Sequence, residues 1–474
     1  MTTPGKDESY RDKISTVGED GKRVWVYPKK PSGKWYNRRT YVSYLLLILL
    51  FTGPFIRIGG EPLLMFNILE RKFVLFGQVF WPQDFNYFAF AMITLVVFVI
   101  LFTVTFGRLF CGWVCPQTIF MEMLFRKIEY AIDGDWKQQQ ALKKQKWNAE
   151  KIGKRVVKHL LFYLISFTIA NVFLAYIIGS DELISIITDN PKDHIGGLSA
   201  ILLFSLIFFF VFSYFREQVC TSICPYGRLQ GVLLDKNSVI ITYDEVRGED
   251  RALFKKGEDR SSAGKGDCID CGACVNVCPT GIDIRNGTQL ECINCTACID
   301  ACDFIMEKTG QEPGLIRYDS DAGVKEGKTL TFTPRIKAYS AVLGILVVIF
   351  FALIFSRGEI QTTILKARGQ VYQERPDSTI SNLYNFIVIN KSNEDLPIHF
   401  VLEEGKGKIE VIGQNELMME KQGSVEGAIF VIMNRSEITD SKMEIEIGVY
   451  TGDRRLEEVE LHFTGPKKHR TLKH

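Results

Sequence analysis

Five apolar stretches, roughly 41–58, 85–106, 159–179, 197–215 and 337–356, constrain this chain before anything else. Each is close to the length of about 20 residues that an α-helix needs to cross a bilayer, and each is poor in charge. Such a chain reads as a polytopic α-helical membrane protein, and five spans put its termini on opposite sides. The first stretch lies behind a charged arm, too far into the chain for a cleaved signal peptide. A weaker candidate, 62–80, is interrupted by Glu70, Arg71 and Lys72. It reads as an amphipathic or re-entrant segment at the outer surface.

The 474 residues carry a formal charge of only +2, yet the basic residues are segregated. The arm 1–40 holds ten Lys and Arg against five acids, and the loop 107–158 holds eleven against five. In contrast, 180–196 sets Lys192 alone against Asp181, Glu182, Asp189 and Asp193. The bias of basic residues toward the inner face places the arm, the 107–158 loop and the segment 216–336 in the cytoplasm, with 357–474 outside. The arm reads as a partly disordered topology anchor. The basic stretch 135–159 reads as a helix with a solvated or headgroup-facing surface and no chemistry. All twelve cysteines then face a reducing compartment, which favours metal or redox chemistry over a disulfide framework.

Eight of those cysteines form a duplicated pattern, Cys268-x2-Cys271-x2-Cys274-x3-Cys278 and Cys292-x2-Cys295-x2-Cys298-x3-Cys302. Three thiolates two residues apart can wrap one face of a cubane, and in two-cluster ferredoxins the fourth cysteine ligates the other cluster. One 4Fe–4S cluster is thus assigned to Cys268, Cys271, Cys274 and Cys302, the other to Cys292, Cys295, Cys298 and Cys278. Structural zinc also uses Cys-x2-Cys pairs, but eight cysteines in this spacing favour clusters and one-electron transfer. Pro279 follows Cys278, whereas Asp303 follows Cys302. That departure leaves ligation intact and puts the local packing of the second half in question.

The other four cysteines stand where two apolar stretches end, in "CGWVCPQT" and "CTSICPYG". In a helix, Cys111/Cys115 and Cys220/Cys224 would place their Cβ atoms about 5–6 Å apart on one face. Pro116 and Pro225 disfavour helical backbone at the residue before them but suit the first turn of a new helix. Each second cysteine is therefore expected at the N-terminus of a surface helix, where a thiolate is stabilised. Arg108, Arg216 and Arg228 are close enough in sequence to help. Two such pairs can meet as a four-thiol site for a soft metal ion, above all Cu(I). Zinc or a third iron–sulfur cluster also fits four sulfurs, and buried cysteines can act simply as small hydrophobes.

The last 118 residues change to β-rich runs split by Gly, Asn, Asp and Ser turns, such as "NLYNFIVIN" and "KMEIEIGVYTG". They describe an all-β immunoglobulin-like sandwich of about seven strands. Met418, Met419, Met433, His399 and His462 form no metal spacing there, and methionine on a strand is usually core. His159 and His194 are isolated. No nucleotide loop, dinucleotide fingerprint or nucleophile–base set is present, and nothing points to nucleic acid.

With these motifs in view, the sequence resembles the cytochrome c oxidase accessory protein family, CcoG/FixG/RdxA, across almost its whole length. The first 310 residues also resemble the wider NapH-like membrane polyferredoxins. The resemblance implies a multi-pass protein of the bacterial inner membrane with a cytoplasmic N-terminus, an inserted two-cluster bacterial ferredoxin at about 260–310 and a periplasmic C-terminal domain. It implies a part in assembling a cbb3-type oxidase, by reducing Cu(II) to Cu(I) for the oxidase copper centre. Transient copper would be handled by Cys111, Cys115, Cys220 and Cys224. Oxidase subunits or copper chaperones, an electron donor, the lipid bilayer and a second copy of the chain are the expected partners. A quinol-linked relay and a non-enzymatic assembly scaffold are the rival readings.

Overall fold

The computed structural model describes residues 15–18, 20–68, 72–75, 77–80, 84–260, 262–327, 333–356, 358–369, 371–392, 394–403, 407–413, 417–438 and 440–466. They form two compact units, one built mainly on 88–348 with the N-terminal arm, the other mainly on 349–474.

Among the described residues, four helices are long and apolar enough to cross a membrane: Asn86–Phe106, Ala149–Ile178, Ile195–Phe215 and Pro334–Phe355. Large apolar side chains such as Leu95, Leu203 and Val348 point outward from them. Apolar surface on that scale needs a non-aqueous neighbour. The chain is an integral membrane protein.

The first expected span departs from this pattern. Lys34–Thr52 is a helix, but it opens with Lys34, Arg38 and Arg39, and a turn follows at Gly53–Phe55. It runs beside Ala149–Ile178: Tyr176 Oη, near the far end of that helix, donates to the Leu50 carbonyl at 2.9 Å, so both helices reach the side away from the ferredoxin region. The 62–80 segment contains the short strands Leu64–Asn67, Lys72–Leu75 and Gln78–Phe80. Glu70 and Arg71 lie outside the described residues.

The arm also differs from expectation. From residue 15 onward it lies against the ferredoxin region: Ser15 Oγ donates to the Thr280 carbonyl at 2.6 Å, and Lys29 N donates to the Asn276 carbonyl at 2.7 Å. The first turn of Lys34–Thr52 has no cap from its own flank. Asp300 supplies it instead, accepting Trp35 N at 3.1 Å and Tyr36 N at 2.7 Å. A carboxylate there satisfies orphan amides and complements the helix dipole. Asp300→Ala should cost about 1 kcal/mol and speed tryptic cleavage of the arm at Lys22–Lys30. An unchanged cleavage rate would show that the cap does not hold the arm.

The ferredoxin region is closed by an antiparallel strand pair, Ile240–Tyr243 with Ile316–Asp319, that brackets both cysteine sets. Its core gathers Ile241, Tyr243, Val277, Ile284, Ile299 and Met306 with the buried cysteines. The basic stretch splits into Trp136–Lys144 and the start of the long helix Ala149–Ile178, with the Asn148 side chain capping Lys151 N.

In the other unit, nine antiparallel strands among the described residues form two sheets. One orders Gly407–Val411, Ser424–Asn434, Thr379–Asn390 and Ile360–Lys366, with Gln373–Glu374 at its side. The other orders Leu417–Met419, Leu396–Leu402, Lys442–Thr451 and Arg454–Thr464. Alternate residues from both fill one core around Tyr384, Val388, Ile429 and Ile447. Met419 and Met433 belong to that core, Met418 is exposed, and His399 stacks on Tyr450.

Candidate iron–sulfur and thiol site

The duplicated cysteines come together in the crossed sets that their spacing predicts. Cys268, Cys271, Cys274 and Cys302 line one cavity of about 400 Å³. Cys278, Cys292, Cys295 and Cys298 line a second of about 340 Å³, where Cys274 also forms wall. The two loops have matching backbones: Asp270 and Asn294 lie at φ 52° and 53°, Gly272 and Thr296 at 63° and 68°. Such left-handed residues turn the chain around a central object. Gly272 adopts this at no steric cost, whereas β-branched Thr296 is strained there. Thr296 is fully buried and its hydroxyl donates to the Cys295 carbonyl at 2.6 Å.

Asp303 explains the asymmetry between the halves. Pro279 follows the short helix Ala273–Asn276, while Ala297–Thr309 continues through Asp303 for 13 residues. Asp303 Oδ1 accepts Gly314 N at 2.8 Å and fixes the returning chain. Burial pushes the free thiols of Cys274 and Cys292 up to about 12 and Cys295 to about 11. Iron binding must therefore displace protons. Two thiol-lined cavities with these ligand sets fit two cubane clusters. Cys271 is exposed, while Cys295 and Cys298 are buried, so the second set is the more sheltered.

The paired thiols are built by two matching turns. After the helix Phe85–Phe106, a short helix Leu109–Trp113 carries Cys111, and Cys115 caps Pro116–Ile119 with extended backbone, φ −59° and ψ 123°. In the second copy a π-turn, Val219–Ile223, carries Cys220, and Cys224 caps Pro225–Leu233 at φ −69° and ψ 114°. The prolines impose both bends. The copies interlock reciprocally. Cys111 Sγ donates to Gln230 Oε1 at 3.3 Å, on the helix that Cys224 caps. Cys220 Sγ lies 3.9 Å from Thr118 Oγ1, on the helix that Cys115 caps. Cys111 and Cys220 each sense the charge of the other motif's thiols, so all four converge.

Cys115 and Cys224 stand at the helix N-termini as expected, and the first cysteine of each motif lies before them. Burial, reinforced by the neighbouring thiols, pushes Cys111 up to about 11 and Cys220 to about 12. Of the three arginines, Arg108 opposes this at Cys111 while also donating to the Leu290 carbonyl. Arg216 is committed to Glu129, bonded at 2.8 and 2.7 Å, and Arg228 is exposed. Among the described residues no three His, Cys, Asp or Glu side chains are close enough to hold a single ion.

The thiol site rests directly on the second cysteine loop. Gly112 packs against backbone, and an added Cβ would lie 2.3 Å from the Ile293 carbonyl and 2.9 Å from that of Asn294. Trp113 Nε1 donates to Tyr318 Oη at 3.1 Å, and Tyr318 Oη donates to the Asn294 carbonyl at 3.2 Å. A further cavity of about 280 Å³ joins Cys220 to Pro279, Thr280 and Ile293, which also wall the second cluster cavity.

Beneath it lies a buried charge network that the sequence did not announce. Arg126 pairs with Glu122 at 3.0 Å and Glu217 at 3.6 Å, and Arg23 with Glu217 at 3.1 Å. Lys158 reaches Asp133 at 2.5 Å and Glu129 at 3.6 Å.

A helical membrane domain carrying two crossed cysteine sets and a thiol site defines a membrane iron–sulfur electron-transfer protein. Family profiles agree: a 4Fe-4S dicluster domain matches residues 215–321, a 4Fe-4S binding domain matches 88–134, and the IG-like fold at the C-terminus of FixG matches 350–466. Protein RdxB of Cereibacter sphaeroides is 33% identical over 387 residues, covering 79% of this chain and 80% of its own. RdxA of the same organism is 31% identical over 399 residues, covering 81% and 83%. The nitrogen fixation protein FixG of Rhizobium meliloti is 30% identical over 422 residues, covering 81% and 80%. The chain belongs to the FixG/RdxA family.

Proposed function

We propose that this protein delivers single electrons to Cu(II) at the four-thiol site and releases Cu(I) for the copper centre of a cbb3-type cytochrome c oxidase. The observation that carries this reading is the seating of the Cys111/Cys115 turn on the backbone of the second cysteine loop, with Cys220 facing the same loop across a shared cavity. When bound, the clusters held by the two sets supply one electron at a time. Copper reduction consumes one electron per ion: Cu(II) gains it and leaves as Cu(I), a soft ion that thiolates hold well. Cys111 and Cys220, protonated at rest, give up their protons as the metal binds. The segregated basic residues support a cytoplasmic thiol site and ferredoxin region, with the immunoglobulin-like domain in the periplasm of a bacterial inner membrane. That domain is the natural surface for oxidase subunits or copper chaperones.

One observation favours a second reading. The 4Fe-4S profile over 88–134 covers a segment whose only cysteines are Cys111 and Cys115. In that reading the four thiols hold a third cluster of a quinol-linked relay. An anaerobic single-turnover experiment separates the two. Reduced protein is mixed with Cu(II) in the presence of a chromogenic Cu(I) chelator, and compared with a variant carrying Ser at 111, 115, 220 and 224. Cu(I) formed in step with cluster oxidation by the wild type alone supports copper reduction at the thiols. Equal yields from both proteins would remove the thiols from the reaction, and no yield from either would remove copper.

A further inference from the structure

The two ends of the thiol site differ in what surrounds them. Cys111 is engaged by the fully buried Gln230 and packs against the ferredoxin core. Cys220 instead faces a small cavity whose wall includes Thr118, Met121, Glu122 and Glu217. Thr118 N bonds the Cys115 carbonyl at 3.1 Å, so Cys220, beside Thr118, lies over the turn that Cys115 caps. Met121 stands one turn further along the same helical run, three residues from Thr118 and on the same face. It is 3% exposed, and it sits at the start of a π-turn, Phe120–Phe125. π-Turns inside helices are frequent at functional sites.

The largely apolar wall of this cavity carries two acidic side chains, Glu122 and Glu217. Glu217 is buried, and its Oε2 makes no hydrogen bond, with the nearest cations at 3.5 and 3.6 Å. No three His, Cys, Asp or Glu side chains are gathered for one ion among the described residues. Met121 adds a second sulfur to this wall beside Cys220. A thioether is a soft, neutral donor, and it needs no deprotonation.

We propose that Cu(I) is held by Cys220 and Met121, which share the wall of this cavity, together with Cys115 from the adjoining turn beside Thr118. This rests on the copper reading given above and adds a sulfur donor outside the Cys-x3-Cys-Pro motifs. Met121 fixes which thiol pair takes the ion and biases the site toward the reduced state, because thioethers favour Cu(I) over Cu(II).

The test uses the full-length protein with clusters loaded, titrated anaerobically with Cu(I) against a competing chelator. X-ray absorption at the copper edge counts sulfur neighbours. Wild type should show three sulfurs, and Met121→Leu, a volume-conserving change that cores tolerate, should show two. Its Cu(I) affinity should fall roughly tenfold at unchanged iron content. In selenomethionine-labelled wild type, copper–selenium scattering should appear, which needs no variant to fold. Cu(I) bound with wild-type affinity by Met121→Leu, and no selenium neighbour, would overturn the assignment while leaving copper at the thiols. Absence of Cu(I) binding to the wild type, with Cys220→Ser no different, would overturn this assignment and the copper reading together.

Discussion

Glu129→Gln should lower the thermal unfolding midpoint of the detergent-solubilised protein by roughly 10 °C. Glu129 is 3% exposed and bonds the Arg216 guanidinium through both oxygens, with Lys158 at 3.6 Å. Removing one partner of a buried pair leaves an uncompensated charge, at a cost of about 3–5 kcal/mol. Arg216 stands four residues before Cys220, and its partner Glu217 lines the Cys220 cavity, so the same change should disturb the thiol site. Burial alone would raise the Glu129 carboxyl, but the Arg216, Lys158 and Arg126 cations outweigh it and hold the group below its ordinary value. Its contribution is therefore fully present above the unfolded carboxylate value of about 4.3. It is lost as the pH falls through the lower folded value. Combining Glu129→Gln with Arg216→Met should recover part of the loss, since no charge is then stranded. A Glu129→Gln protein as heat-stable as the wild type would show that the network carries no net stability.

The second large effect is expected at Gly112. Gly112→Leu cannot be seated without moving backbone, because its Cβ alone would lie 2.3 Å from the Ile293 carbonyl. The turn bearing Cys111 must lift away from the 290–294 loop, straining the Arg39 Nε bond to the Gly112 carbonyl at 2.7 Å. The overpacking should cost about 1–3 kcal/mol, which a stable fold survives. The functional loss should be larger: misplacement of reacting groups by about 1 Å can cost on the order of 100-fold in rate. Rapid-mixing measurement of Cu(I) formation, with iron content confirmed, checks this. A fully loaded Gly112→Leu protein that reduces copper at the wild-type rate would show that this contact does not position the thiols.

What the sequence made legible was local chemistry. The two crossed cysteine sets, the paired bends at Cys115-Pro116 and Cys224-Pro225 and the β-rich end all follow from spacing and composition. Partnerships between distant residues were hidden. Glu129 and Arg216 are separated by 87 positions, and a charged residue on an amphipathic helix looks the same whether it faces solvent or a buried partner. Lys158 belonged to a stretch read as solvated, yet its ammonium is enclosed between Asp133 and Glu129. The arm looked disordered because its order comes from Asp300 and Thr280, more than 260 positions away. The first expected span is displaced toward the N-terminus: its helix begins among the basic residues at Lys34 and ends at Thr52, ahead of the apolar run read from composition. Proline-free Asp303 left its helix open to continue, a consequence visible only once Gly314 is seen to return to it.

The claim that the four membrane-edge thiols serve a passing metal ion, and not a resident cluster, is tested most directly by counting iron and acid-labile sulfide. Anaerobically purified wild type and the variant with Ser at 111, 115, 220 and 224 should both hold about eight irons per chain, two clusters of four. A wild type with about twelve irons, falling to about eight in the variant, would contradict the copper assignment and make the thiols ligands of a third cluster.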